Sequence, residues 1–155
     1  MSNLQWLAAL AGKWTARYRL FLPPSPPFDC DSVAAIVPAL GGSFVRIDYT
    51  WAHEGKTQEG MLLLGHDPKA GTTSAVWIDS WHMGNQFMTC RGASPDGGRV
   101  EVRGSYAAPP GPDWGWRTVI ERVDRASFRL TMYNVTPDGQ EELAVEAHYR
   151  SLFPP

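Results

Sequence analysis

Asp79, Ser80, Trp81 and His82 stand out as a segment that brings a carboxylate, a hydroxyl and an imidazole together among large aromatics. These are the residue types of a nucleophilic triad. Neighbours in an extended strand, however, point to opposite faces, and no nucleophile elbow surrounds Ser80. Three roles are left for the segment: a general base at Asp79 or His82, a polar anchor at a pocket rim, or a plain strand end. The other histidines, His53, His66 and His148, show no HxH, HExxH or CxxC spacing, so no dedicated zinc site is expected. His148 lies in the last predicted strand, where one inward imidazole could ligate a haem iron from one side. A half-buried strand histidine is the ordinary alternative. No glycine-rich phosphate loop precedes a helix, and Cys30 and Cys90 read as small buried hydrophobes. No cofactor is expected from these patterns.

The elements that must carry these residues are almost all strands. One helix is predicted at the start, capped by Ser2 or Asn3, with Leu4, Leu7, Ala8 and Ala11 on one face and Gly12 as its stop. Strands follow at about 13–22, 29–37, 43–51, 57–64, 73–80, 86–92, 99–106, 115–123, 127–135 and 141–151, separated by turn residues. The stretch Pro23-Pro24-Ser25-Pro26-Pro27 forbids ladder bonds and forms a stiff loop. About ten short strands without interposed helices argue an antiparallel meander closing as an up-and-down barrel, or else a sandwich.

Composition narrows the function. The chain has 155 residues, 43% hydrophobic and 19% charged, with a formal net charge of -2, which fits one globular domain. That balance argues against nucleic acid, because such partners draw a basic surface. No apolar run approaches the roughly 18 residues of a membrane helix, and no basic-then-apolar leader opens the chain. A cytoplasmic place and no membrane partner are therefore expected. The 7 Trp, 5 Tyr and 6 Phe supply strand faces and core, and aromatics also line ligand pockets.

Several segments together resemble the bacterial DUF1579 proteins, a family of unknown function with a lipocalin-like (calycin) barrel. They are Leu7-Ala8-Ala9-Leu10-Ala11-Gly12-Lys13-Trp14, Gly41 to Tyr49, Gly65-His66-Asp67-Pro68, Val76-Trp77-Ile78-Asp79-Ser80, Trp116 to Glu121 and Leu130-Thr131-Met132-Tyr133. The Gly-Lys-Trp near the start is also similar to the Gly-x-Trp of lipocalins, which implies that Trp14 plugs the closed end. The resemblance implies an all-β, up-and-down lipocalin-like barrel and no assigned activity. The expected function is binding of a small hydrophobic or amphipathic ligand inside the barrel, with room left for a homodimer. Phe44, Met61, Trp77, Trp116 and Met132 are expected to form the wall, and Arg46, Asp79, His82 and Arg117 to hold the polar end of the ligand. An enzyme using Asp79 or His82, and a haem barrel using His148, are the alternatives.

Overall fold

A computed structural model describes residues 3–153. Ten antiparallel strands close on themselves, β1 (Gly12–Leu20), β2 (Phe28–Ala39), β3 (Phe44–His53), β4 (Lys56–Asp67), β5 (Thr72–Asp79), β6 (Met88–Ala93), β7 (Arg99–Tyr106), β8 (Trp114–Asp124), β9 (Ser127–Val135) and β10 (Glu141–Ser151). Each strand pairs with its chain neighbours, and β10 returns to pair with β1, so no sheet edge is left open. The hairpins follow from turn chemistry. Between β3 and β4, Glu54 (φ 50°) and Gly55 (φ 77°) both adopt left-handed conformations, as a two-residue hairpin turn requires.

The alternation of each strand decides what the barrel encloses. On β1, β3 and β9 the more apolar row turns inward, because burying it removes the larger area from water. On β3 this row is Val45, Ile47, Tyr49 and Trp51, all buried. Trp14 and Tyr18 of β1, Leu62 and Leu64 of β4, Trp77 of β5, Phe128, Leu130 and Met132 of β9 and Tyr149 of β10 join it.

One end of the barrel is closed by the N-terminal segment. The helix expected there is a single turn, α1 (Gln5–Ala8). It buries Leu4, Leu7 and Leu10, three residues apart, and tight bonds from Leu7 N–H to Leu4 O and from Leu10 N–H to Leu7 O (each 3.0 Å) give that spacing. Ala11 is exposed, which corrects its place on the buried face. Asn3 does not cap the helix: its amide side chain donates to Pro95 O and its backbone N–H to His66 Nδ1. Ser2 lies outside the described residues. Trp14 plugs this end as expected, donating Nε1–H to Leu10 O at 2.9 Å and meeting Phe128 edge-on at 5.1 Å.

Gly60 has a structural duty that connects three strands. Tyr49 of β3 pairs with Gly60 of β4, and Gly60 pairs with Asp79 of β5, so the three inward positions form one row across the sheet. With no side chain at Gly60, the Tyr49 ring lies across the middle strand, and its hydroxyl donates to Asp79 Oδ2 at 2.7 Å. A Cβ on Gly60 would stand 2.1 Å from Tyr49 Cζ. Gly60→Ala is expected to destabilise the fold by about 2–3 kcal/mol in urea unfolding, the range of an overpacked core. In a Tyr49→Ala background the same change is expected to cost much less. An equal cost in both backgrounds would contradict the row.

Candidate functional site

The end opposite α1 is where the odd-numbered strands finish, and there Asp79 organises the polar chemistry. Asp79 is 1% exposed. Its Oδ2 accepts from Tyr49 Oη–H (2.7 Å) and Trp51 Nε1–H (3.2 Å). Its Oδ1 accepts from the backbone N–H groups of Trp81 (3.0 Å) and His82 (2.9 Å). The last two bonds run from residues two and three positions on, the pattern by which an Asp side chain fixes a turn. Trp77 Nε1–H extends the network to Tyr49 Oη at 3.0 Å. All four donors to Asp79 are neutral, and together they use both oxygens. Burial and the nearby Asp79 charge push the Tyr49 and Tyr18 hydroxyls well above the usual tyrosine range, so both stay protonated, and Tyr49 is the one that donates to Asp79.

The turn that Asp79 holds carries His82 into a ring of indoles. His82 stands 5.6 Å from Trp51, 5.6 Å from Trp77, 5.2 Å from Trp116 and 4.8 Å from Trp81, between ring centres. Burial lowers its pKa to about 4, against the smaller opposing pull of Asp79. The ring is therefore neutral at pH 7. Trp77 and Trp116 stack at 4.9 Å and 12°. His82 Nε2 and Trp116 Nε1 are both buried and make no hydrogen bond.

Trp77, Trp81, His82 and Trp116 wall a pocket of about 240 Å³ in the barrel mouth. Leu20, Phe21 and Leu22 close it from the side of the proline loop, Trp81 and Met83 from the β5–β6 loop, and Tyr106, Asn134 and Ala144 from β7, β9 and β10. Tyr106 and Asn134 are joined at its rim by a hydrogen bond from the phenol to the amide oxygen. A larger groove of about 570 Å³ lies on the outer face of β2 to β5, bordered by Val33, Met61, Ile78 and Glu59. The groove is the more open of the two, whereas aromatics converge on the mouth pocket, as they do in many small-molecule sites.

The structure brings together only part of the expected set. Trp77, Trp116 and His82 meet at the mouth. Met132 is inward and fully buried in the core, and Asp79 is inward with its oxygens already occupied. Phe44, Arg46 and Met61 stand on the outer face, because β3 and β4 bury Val45, Ile47, Leu62 and Leu64 instead; their expected place in the wall is corrected. Arg46 pairs with Asp48 at 2.9 Å on that surface. Arg117 is outward as well, held by Glu101 and Glu141 at 2.9 Å each and stacked 4.1 Å over Tyr133. Ser80 faces outward and joins Gln58 and Glu59 of β4. His148 also faces outward, beside Thr15, Arg17 and Arg150, since Ala147 and Tyr149 take the inward positions. An imidazole there cannot ligate an iron inside the barrel. Sequence reasoning missed Tyr49 and Trp51 as partners of Asp79, although their shared alternation with Val45 and Ile47 signals an inward row.

Comparison with known proteins adds a family. Over residues 2–151 the chain matches the family described as "Protein of unknown function (DUF1579)". Among solved structures it is similar to the crystal structure of Rv2717c from M. tuberculosis, with 16% identity, a TM-score of 0.66 and 99% of each chain covered. That likeness shows the fold. No curated protein matches.

The buried imidazole makes stability depend on pH. His82 has a folded pKa of about 4, below the roughly 6.5 of an unfolded histidine, so the unfolded chain binds the proton first as pH falls. Its contribution is intact above pH 6.5 and is lost towards pH 4. Urea unfolding is expected to show about 2–3 kcal/mol less stability at pH 4.5 than at pH 7 from this group. His82→Gln is expected to shrink the pH dependence by that amount; an unchanged dependence would place the imidazole in water.

Proposed function

We propose that this chain, which belongs to the DUF1579 family of proteins of unknown function, binds a small, largely apolar molecule in the mouth of its barrel. The observation that carries this reading is the aromatic-lined pocket of about 240 Å³ whose lining residues include His82 and Trp116, with His82 Nε2 and Trp116 Nε1 buried without partners. A buried donor or acceptor left unpaired costs about 1–3 kcal/mol, and native proteins keep few of them. A ligand that meets them removes the cost. The rest of the barrel interior is filled by Trp14, Tyr18, Trp51, Phe128 and Tyr149, which leaves the mouth as the place for a guest.

The chemistry favours binding over proton transfer. Asp79 has no free oxygen lone pair aimed at a substrate, since four donors occupy it. His82, with a pKa of about 4, is a weak base at neutral pH, where a catalytic base works best with a pKa near the operating pH. Cys30 and Cys90 are both free thiols, which supports a reducing compartment such as the cytoplasm.

Isothermal titration calorimetry with 2-naphthol tests the reading. One molecule is expected to bind per chain, and Ala144→Phe, which adds a ring at the pocket wall, is expected to weaken binding at least about tenfold. Binding that Ala144→Phe leaves unchanged would put the site elsewhere on the protein.

A further inference from the structure

Two properties of the mouth pocket constrain what it takes. No residue lining it carries a charge at neutral pH: apart from His82, which burial keeps neutral, the wall is aliphatic, aromatic or amide. An ion placed there would leave water without gaining an opposite charge, so charged ligands are disfavoured. The polar atoms are equally specific. An indole N–H only donates, so Trp116 Nε1 requires an acceptor. Neutral imidazole Nε2 either donates or accepts, according to its tautomer.

Both rings line the same pocket. The His82 and Trp116 ring centres are 5.2 Å apart, inclined at 54°, so one small molecule can meet both rings. Trp77, Trp81, Phe21 and Tyr106 add flat surfaces around them. Resting on the binding reading above, we infer that the ligand class is a neutral, planar heteroaromatic bearing a ring amide. Its carbonyl oxygen accepts from Trp116 Nε1–H, and its neighbouring N–H donates to His82 Nε2. A ring amide presents an acceptor and a donor side by side on one edge, which is the complement of the two orphaned nitrogens. Its faces suit the indole walls. The volume of about 240 Å³ limits it to a compound of one or two fused rings, below the roughly 300 Å³ at which drug-sized pockets begin.

The test compares three probes built on the same two-ring frame by calorimetry on the intact chain at pH 7. They are quinolin-2(1H)-one, which carries the ring amide, naphthalene, which carries no polar atom, and 2-naphthoate, which carries a charge. Quinolin-2(1H)-one is expected to bind about tenfold tighter than either of the others, as one or two neutral hydrogen bonds allow. Trp116→Phe is expected to remove that advantage, so that quinolin-2(1H)-one and naphthalene bind this variant within about twofold of each other. His82→Phe, as a second variant, is expected to reduce the advantage too. Naphthalene binding as tightly as the quinolinone would overturn the ligand class and leave the binding reading standing. Tightest binding of 2-naphthoate would overturn the neutral character of the site. Binding of none of the three would overturn both. The ranking on the unmodified chain decides these outcomes even if a variant fails to fold.

Discussion

A carboxylate inside a protein loses several kcal/mol of hydration, and only well-placed donors restore it. Asp79 is such a group, and the upper part of this barrel is arranged around it. Its partners are two side chains on β3 and two backbone amides of the β5–β6 turn, with no cation among them. Hydrogen bonds to a charged group contribute about 1.5–3 kcal/mol each, so the four together hold one conformation of the turn against the alternatives. The condition for this is a missing side chain. Gly60 sits between Tyr49 and Asp79 in the sheet, and its bare backbone lets the phenol cross β4 to reach the carboxylate.

From that constraint the mouth follows. Because Asp79 fixes the amides of Trp81 and His82, the His82 ring is delivered to the stacked pair Trp77 and Trp116, and Trp81 meets it edge-on at 86°. The cluster is apolar enough to keep the imidazole neutral. At the other end, α1 and Trp14 shut the barrel, and the stacked pair Phe128 and Tyr149 (4.9 Å) fills its floor. The interior is thus divided between a packed lower part, which holds the fold, and a small upper space, which carries recognition. Asp79 and His82 are three residues apart in the chain and do different work: one builds the turn, the other faces the pocket.

Much of the fold is legible in the sequence because its signals are local. Strands of period two and turns such as Glu54-Gly55 are written in adjacent residues, and the predicted bounds of β7, β9 and β10 coincide with those observed. The site is less legible, for a physical reason. A strand with charges on one row and large apolar residues on the other must choose which row to bury, and β3 buries Val45, Ile47, Tyr49 and Trp51. Weighing Arg46 as a ligand anchor reverses that choice. Arg117 misleads in the same way, since its partners Glu101 and Glu141 come from β7 and β10 and are not visible until the barrel is closed. The bond from Tyr49 to Asp79 depends on β3 and β5 flanking β4 with a glycine at the crossing, which no single segment reveals.

The division of labour between Asp79 and the mouth can be read directly from the indole N–H signals in ¹H–¹⁵N spectra during a titration with quinolin-2(1H)-one. The Trp116 signal is expected to move, while that of Trp51, bonded to Asp79 and outside the pocket wall, stays in place. Movement of the Trp51 signal with Trp116 unchanged would make the Asp79 network itself the ligand site and contradict this account.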